Sequence, residues 1–221
     1  MSRFPDPSTA PADGPLAYGG DLEVTTLLEA YRLGIFPWPG ERVVWWWSPD
    51  PRAVIPMGGL HVSRSLRRTL RAGRLHVTGD TAFRDVIEAC ARGRDEGTWI
   101  TTQMRDAYER LHHAGHAHSI EVWDAGSLAG GLYGVSVGRI FCGESMFHRV
   151  TDASKVAMVA AMRVLEHGGY DLFDVQLPTQ HLESMGAVAM RRADYLALLA
   201  AGLDRPARWD PTAAPGDPRP T

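Results

Sequence analysis

Glu144 is the first residue whose setting suggests chemistry. It stands with Ser145 inside the apolar run IFCGESMF (140–147), and a buried carboxylate without a partner is energetically costly. Gly143 precedes it and a long helical pattern follows. This arrangement predicts the carboxyl end of a strand, where open α/β sheets commonly bind ligands. The residues alone support a ligand-facing carboxylate and a structural ion pair with Arg149 equally well.

Asp174 and Gln176 form a second polar pair, within FDVQLPTQHLESMG (173–186). Alternation along a strand places both on one face at its carboxyl end, with Val175 and Leu177 pointing the other way. A carboxylate next to an amide can orient a substrate and accept a proton. The structural alternative is an aspartate that caps the following turn.

Four arginines recur at helical spacing in the segment RSLRRTLR: Arg64, Arg67, Arg68 and Arg71. No acidic residue separates them, so like charges repel one another along one side of the predicted helix. Phosphate groups would relieve that repulsion, which predicts a local contact with a nucleic-acid backbone. A solvated helix face is the simpler alternative.

The histidine-rich stretch from 112 to 118 is not expected to hold a metal. Gly115 ends a predicted helix inside it, so the imidazoles should diverge, and neither H-E-x-x-H nor a pair of C-x-x-C motifs occurs. The G-x-S-x-G elbow and the phosphate loop G-x-x-x-x-G-K-[ST] are also missing. Their absence from the sequence argues against a serine hydrolase and a P-loop protein.

The composition is that of an ordinary globular protein. Of 221 residues, 44% are hydrophobic and 22% charged, and the net charge is −3. This charge argues against non-specific binding of nucleic acid over the whole surface. Cys90 and Cys142 lie in helix-like and strand-like runs, which fits reduced thiols. No leader or membrane-length apolar run is evident, so we expect a cytoplasmic protein with neither a membrane nor DNA as partner.

The elements that must position these residues follow from the hydrophobic period. Helical patterns dominate before residue 115, three strand-like runs joined by tight turns occupy 118–147, and helices then alternate with strands. This order predicts an α+β (mixed α/β) fold with a central, mainly antiparallel sheet.

Prolines suggest how the chain divides. Four of them break the segment from 35 to 56 repeatedly, and the composition shifts near Pro51. We expect a small N-terminal domain over 1–51 with an irregular Pro-rich start. The main domain should cover 52–203, and an irregular Pro-rich tail should cover 204–221.

Several long motifs, in order over roughly residues 17–200, resemble leucyl/phenylalanyl-tRNA protein transferases: GIFPWP, WWSPDPRAVIP, EGTWIT, AYERLHHAGHAHSIEVW, GGLYGV, FCGESMF, ASK and HLESMGA. The resemblance implies a small N-terminal domain and a catalytic domain of the GCN5-type N-acetyltransferase fold. It also implies transfer of Leu or Phe, with Met as a further candidate, from aminoacyl-tRNA (Leu-tRNA or Phe-tRNA) to proteins with N-terminal Arg or Lys. That transfer marks the acceptor for degradation by the N-degron route and needs no cofactor.

The same resemblance implies roles for individual residues. Asp174 and Gln176 match the catalytic relay, and Glu144 matches the acceptor side of the site. The remaining matches are Leu132, Phe141, Met146 and Phe173 around the pocket for the transferred side chain, Trp38 and Trp99 near the terminal adenosine, and Arg64, Arg67, Arg68 and Arg71 at the acceptor stem of the tRNA. Leu132 departs from the family, in which methionine is common at this position.

Two other interpretations have less support. An N-acyltransferase that uses acetyl-CoA would carry [QR]-x-x-G-x-[GA], and Arg94 with Gly97 comes nearest but meets Trp99 at the last position. A non-enzymatic RNA-binding module would explain the arginines and tryptophans. It would leave Glu144 and Asp174 without a role.

Overall fold

A computed structural model describes residues 2–39, 43–92 and 99–213 of the chain. Three features of the sequence lie outside these residues. They are the pair Arg94 and Gly97 of the coenzyme A signature, the first three residues of the motif EGTWIT (96–98), and the end of the Pro-rich tail, residues 214–221.

Seven α-helices occur in the described part of the chain. They are α1 (Val24–Arg32), α2 (Arg64–Arg71), α3 (Phe83–Arg92), α4 (Thr102–His113), α5 (Ala153–His167), α6 (Gln180–Ser184) and α7 (Arg192–Gly202). The described helices are not long and apolar enough to cross a membrane. Ser63 begins α2 by accepting a hydrogen bond from the Leu66 backbone N–H, and Thr101 caps α4 in the same way.

The strands form two sheets. They are β1 (Pro15–Tyr18), β2 (Phe36–Pro39), β3 (Val44–Trp47), β4 (Arg52–Pro56), β5 (Leu75–Gly79), β6 (Ala117–Asp124), β7 (Ser127–Val137), β8 (Ile140–His148), β9 (Leu172–Gln176) and β10 (Val188–Met190). A three-stranded sheet has the order β1-β3-β2, and a seven-stranded sheet has the order β10-β4-β9-β8-β7-β6-β5. Every neighbouring pair is antiparallel except β8 with β9. The predicted mixed α/β fold with a mainly antiparallel sheet is confirmed.

The Pro-rich segment from 35 to 56 contains three short strands, and Pro49 and Pro51 lie in the break between β3 and β4, as predicted. Pro37 and Pro39 lie in β2, an edge strand, where a residue without an N–H removes no hydrogen bond that the sheet needs. Pro51 immediately precedes β4, and Pro56 ends it. Pairing of β2 with the next strand, β3, therefore outweighs the local tendency of Pro37 to interrupt a strand.

The large sheet buries a different apolar cluster on each face. One cluster joins Tyr133 and Cys142 to side chains of α1, α3, α4 and α7. The other joins Leu132 and Phe141 to α2 and α5. Leu27 of the proposed N-terminal domain belongs to the first cluster, so this segment shares its core with the main sheet. The division at residue 51 stays a prediction.

The parallel pair positions the polar residues singled out above. The last paired residues of β8 and β9 are Cys142 and Asp174. Beyond them a bulge shifts the register of β8 against β7 between Tyr133 and Gly134. Gln176 ends β9, so the predicted strand end is confirmed there. The strand end predicted at Glu144 was wrong, because β8 stays paired with β7 as far as His148 and Glu144 lies in its middle, just beyond the last residue that pairs with β9.

Candidate active site

A cavity of about 440 Å³ opens where β8 and β9 stop pairing. Its walls include residues 143–146 of β8 and residues 175–177 at the end of β9. Glu144 and Gln176, which the sequence singled out in two separate patterns, therefore line one cavity. Val175 and Leu177 also line it, whereas Asp174 does not, so simple alternation fails at this strand end.

Asp174 lies behind the cavity wall and is fully buried. Its carboxylate accepts two hydrogen bonds from Arg52, from Nε at 2.9 Å and from Nη2 at 2.7 Å. It accepts two more at 2.9 Å, from the Tyr195 hydroxyl and from the backbone N–H of Gln176. Both oxygens are thus occupied, and Asp174 fixes the backbone of Gln176 instead of facing a substrate.

Arg52 is the cation that allows this carboxylate to be buried. Its side chain is 1% exposed and donates a hydrogen bond to the carbonyl of Gly34. The guanidinium carbon lies between two aromatic rings, 4.7 Å from the centroid of Phe36 and 4.6 Å from that of Tyr195. Burial favours a lower pKa of Arg52, but the charge of Asp174 raises that pKa overall. The pair is a bidentate, hydrogen-bonded ion pair of the kind that a protein interior tolerates.

Gln176 adopts an unusual backbone conformation. Its φ is +65°, in the left-handed region that non-glycine residues rarely occupy. Its side-chain Nε2 donates to Oε1 of Glu144 at 2.7 Å. Because a carboxylate accepts but does not donate, this bond assigns the NH2 end of the amide to Glu144. Oε1 of Gln176 is left without a hydrogen-bond partner among the described residues.

Glu144 is a buried carboxyl that accepts hydrogen bonds from neighbouring side chains. Besides Gln176, the Tyr108 hydroxyl donates to its Oε2 at 2.8 Å, and Tyr108 in turn contacts the Tyr31 hydroxyl at 2.6 Å. Burial raises the pKa of Glu144 to about 7, although these hydrogen bonds oppose the shift. Arg149, the ion-pair partner considered from the sequence, instead donates to the backbone carbonyl of Leu128. Glu144 therefore lines the cavity and changes its charge near neutral pH.

The predicted apolar residues divide into two sets. Leu132, Met146 and Phe173 line the cavity. Phe141 is fully buried and meets Phe173 edge-to-face at 5.5 Å, with an interplanar angle of 67°. It is not among the residues that line the cavity. Phe141 therefore supports the wall from behind.

Trp38 and Trp99 lie together at this cavity, and both line it. Their rings stack on each other with centroids 5.3 Å apart and planes 18° from parallel. The indoles thus form a single aromatic platform brought together by β2 and the segment before α4. An added planar group could stack on an outer face of this platform.

The four arginines of α2 are all exposed. Arg67 and Arg71 border a cavity of about 270 Å³ between α2 and α5, where Arg163 adds a further charge. Arg68 borders a different depression, together with Arg74 and Arg149. Each depression also contains one acidic residue, Glu166 in the first and Asp152 in the second, so the charge around α2 is mixed but has more arginines than carboxylates.

Sequence analysis did not identify the partners that hold the polar residues. Arg52 stands directly before the apolar run Ala-Val-Ile, which is typical of a buried strand. A charge buried there requires a partner, so the sequence did indicate that Arg52 forms an ion pair. Tyr31 and Tyr108 gave no signal, because each fits the apolar side of an ordinary helix. Within the described ranges, no group of three or more His, Cys, Asp or Glu side chains could hold a metal ion.

Comparison with known proteins finds one family. The model of the leucyl/phenylalanyl-tRNA protein transferase family matches residues 54–200, and the model of that family's N-terminal domain matches residues 20–50. A leucyl/phenylalanyl-tRNA–protein transferase of Anaeromyxobacter dehalogenans (strain 2CP-C) is 52% identical over 96% of this chain and 94% of its own. One from Stutzerimonas stutzeri (strain A1501) is 53% identical over 94% of each chain.

The likeness to solved structures is more distant. A GCN5-related N-acetyltransferase from Kribbella flavida is matched with a TM-score of 0.36 and 9% identity, over 74% of this chain and 59% of that one. This is the type of fold that the resemblance implied. A likeness of that size carries no argument about substrate or mechanism.

Proposed function

Because the chain belongs to the leucyl/phenylalanyl-tRNA protein transferase family and is an aminoacyltransferase, we propose that its acceptor is a protein with an N-terminal Arg or Lys. The transferred residue is Leu or Phe, with Met as a further substrate. The α-amino nitrogen attacks the ester carbonyl of the aminoacyl-tRNA, a C–N bond forms, and the ester C–O bond breaks. The amine's proton passes to the ribose oxygen that leaves. Aminolysis of an ester is downhill, so the reaction needs neither ATP nor a covalent enzyme intermediate.

The cavity beside Glu144 is proposed to hold the transferred side chain. Leu132, Met146 and Phe173 give it an apolar wall, which favours Leu, Phe and Met because they are apolar and unbranched at Cβ. Such a pocket rejects polar side chains strongly but separates apolar side chains of similar size only weakly. Use of several amino acids by one enzyme fits these walls.

Gln176 is proposed to accept a hydrogen bond from the attacking amine. The single observation that carries this role is the bond from its Nε2 to Glu144, which leaves Oε1 as the available acceptor. A neutral amide is a weak base, so its main contribution is to hold the nitrogen at the ester carbonyl. Asp174 acts indirectly, by holding the Gln176 backbone N–H.

Glu144 is proposed to attract the cationic acceptor terminus. An α-amino group has a pKa of about 7.7 to 8, so near neutral pH it arrives largely protonated and must lose a proton before it attacks. A carboxyl whose pKa is raised to about 7 can balance that charge or receive that proton. The charge of Glu144 is tolerable in this cavity because the substrate brings its counter-charge.

The aminoacyl-tRNA is proposed to lie across the tryptophans and the α2 arginines. The Trp38–Trp99 platform offers a face on which the terminal adenine can stack. Arg64, Arg67, Arg68 and Arg71 would contact phosphates of the acceptor stem. The reaction would take place in the cytoplasm and mark the acceptor protein for degradation.

Transfer assays with matched peptides test this proposal. The chain is incubated with Phe-tRNA or Leu-tRNA that carries a labelled amino acid, and with peptides that differ only at the N-terminus: Arg, Lys, Ala, or Arg with an acetylated α-amino group. We expect label on the Arg and Lys peptides only. Equal transfer to the Ala peptide would refute the proposed acceptor class. Label on the acetylated peptide would refute attack by the α-amine.

A further inference from the structure

The described residues after α7, 203–213, are built into the fold instead of trailing from it. Residues 205–213, here called the C-terminal strap, run beside α5 and end in a 3-10 helix, Pro211–Ala213. The Arg208 backbone N–H donates to the Gly168 carbonyl at 3.0 Å, and Arg205 pairs with Asp171 at 3.1 Å. The sequence had predicted an irregular Pro-rich tail here.

Two glycines make room for the strap. A Cβ at Gly168 would lie 2.0 Å from the Arg208 carbonyl oxygen, and a Cβ at Gly79 would lie 2.5 Å from Cβ of Pro211. Contacts this short do not occur between real atoms, so a side chain at either position would displace the strap. The strap and the sheet are therefore fitted to each other at backbone distance.

Trp209 is the side chain that the strap inserts. Its indole lies parallel to His118, with centroids 4.7 Å apart and planes at 14°, and parallel to Phe141, at 5.0 Å and 18°. His118 is held in turn by Asp80, whose Oδ2 lies 2.9 Å from its Nδ1. The indole thus fills a defined slot on the α5 side of the sheet.

The stack continues to the cavity. Phe141, beneath Trp209, meets Phe173 edge-to-face at 5.5 Å, and Phe173 lines the cavity next to Gln176. Trp209, Phe141 and Phe173 therefore form one continuous row of rings from the strap to the cavity wall. Protein interiors are packed as densely as crystals, so removing one ring lets its neighbours move into the space.

We propose that Trp209 is a positioning residue that sets the depth of the pocket for the transferred side chain. It acts through Phe141 on Phe173 and touches no substrate itself. This inference rests on the proposed function, in which this cavity holds that side chain. With Trp209 in place, Phe173 cannot retreat, and the pocket stays shallow. Without it, Phe173 moves back and the pocket accepts longer side chains more readily.

The measurement is the ratio of kcat/KM for Phe-tRNA to that for Leu-tRNA, with one Arg peptide as acceptor. In Trp209→Ala we expect this ratio to rise about tenfold, the effect of roughly one buried group in an apolar pocket. Trp209→Phe keeps a ring in the slot and should keep the ratio close to that of the parent. Arg205→Ala removes an anchor of the strap but leaves the ring stack, and it should also leave the ratio unchanged.

Two further variants make every outcome informative. Phe141→Leu removes the middle ring of the row, between Trp209 and Phe173, so it should move the ratio in the same direction even if Trp209→Ala does not fold. An unchanged ratio in Trp209→Ala, or in Phe141→Leu if Trp209→Ala does not fold, overturns the inference. Leu132→Ala enlarges the cavity wall directly. If Leu132→Ala shifts the ratio and Trp209→Ala does not, the pocket assignment is supported and the proposed role of Trp209 is refuted. If neither shifts it, the pocket assignment itself fails.

Discussion

Gln176 Nε2 lies 2.7 Å from Glu144 Oε1, and this bond links the charge of the carboxyl to the orientation of the amide. Ionised Glu144 can only accept, so it holds the NH2 group of Gln176 and leaves the amide oxygen available. Protonated Glu144 can itself donate to that oxygen. The state that leaves the amide oxygen available to an incoming amine is therefore the ionised one.

This link predicts a pH dependence of acceptor use. Burial raises the pKa of Glu144 to about 7, so its ionised fraction rises as the pH passes through that value. The free amine of the peptide appears at about pH 7.7 to 8. We expect kcat/KM for an Arg peptide to rise through both ionisations, since this parameter reports the free enzyme and the free substrate. Below pH 7 the rise should therefore be steeper than for a single group.

Glu144→Gln provides the comparison for that profile. The variant lacks the carboxyl, so its profile should show only the ionisation of the peptide amine, and its kcat/KM at pH 8 should fall by about 10²-fold or more. KM for the aminoacyl-tRNA should stay close to that of the parent. A variant profile that keeps the lower ionisation would assign it to another group.

Asp174 and Arg52 are expected to be coupled in stability. Asp174→Asn leaves the guanidinium of Arg52 buried without its counter-charge, which should lower the free energy of unfolding by about 3–5 kcal/mol. Arg52→Met should be similarly costly. The double variant removes both charges and should lose far less than the sum of the two single losses, as measured by chemical denaturation. Additive losses would mean that the ion pair does not set the stability of this strand end.

The backbone of Gln176 is expected to store strain. At φ +65°, glycine avoids a cost of about 1–2 kcal/mol that Ala and Gln bear, and this exceeds the entropic cost of glycine, about 0.5–1 kcal/mol. Gln176→Gly should therefore be more stable than Gln176→Ala by up to about 1 kcal/mol. Both variants should lose transfer activity, because both lack the amide.

Val175 supplies the matched control for that comparison. It belongs to β9 and is not among the residues with positive φ. Val175→Gly should therefore be less stable than Val175→Ala, the opposite order to position 176. The same order at both positions would show that the Gln176 conformation is not strained.

The sequence predicts those features of the fold and the site that neighbouring residues determine. The meander and α2 follow from period and charge spacing, and Asp174 and Gln176 were found because both mark a strand end. Their partners were not found: Arg52 lies 122 residues before Asp174, and Tyr108 lies 36 before Glu144. Such pairings arise from the order of strands in the sheet, which no local pattern specifies.

The arginines of α2 yield the last prediction, because a phosphate contact has a signature that a solvated helix face lacks. Each phosphate that a cation neutralises releases counterions, so the logarithm of affinity falls with the logarithm of salt concentration, by about 0.7–0.9 per contact. Arg68→Gln should reduce that slope by about this amount in kcat/KM for aminoacyl-tRNA. KM for the acceptor peptide should not change. Arg191→Gln is the control, since Arg191 is also exposed but pairs with Asp194 at 2.7 Å. An unchanged slope for Arg68→Gln, or an equal change for Arg191→Gln, would show that Arg68 makes no specific phosphate contact.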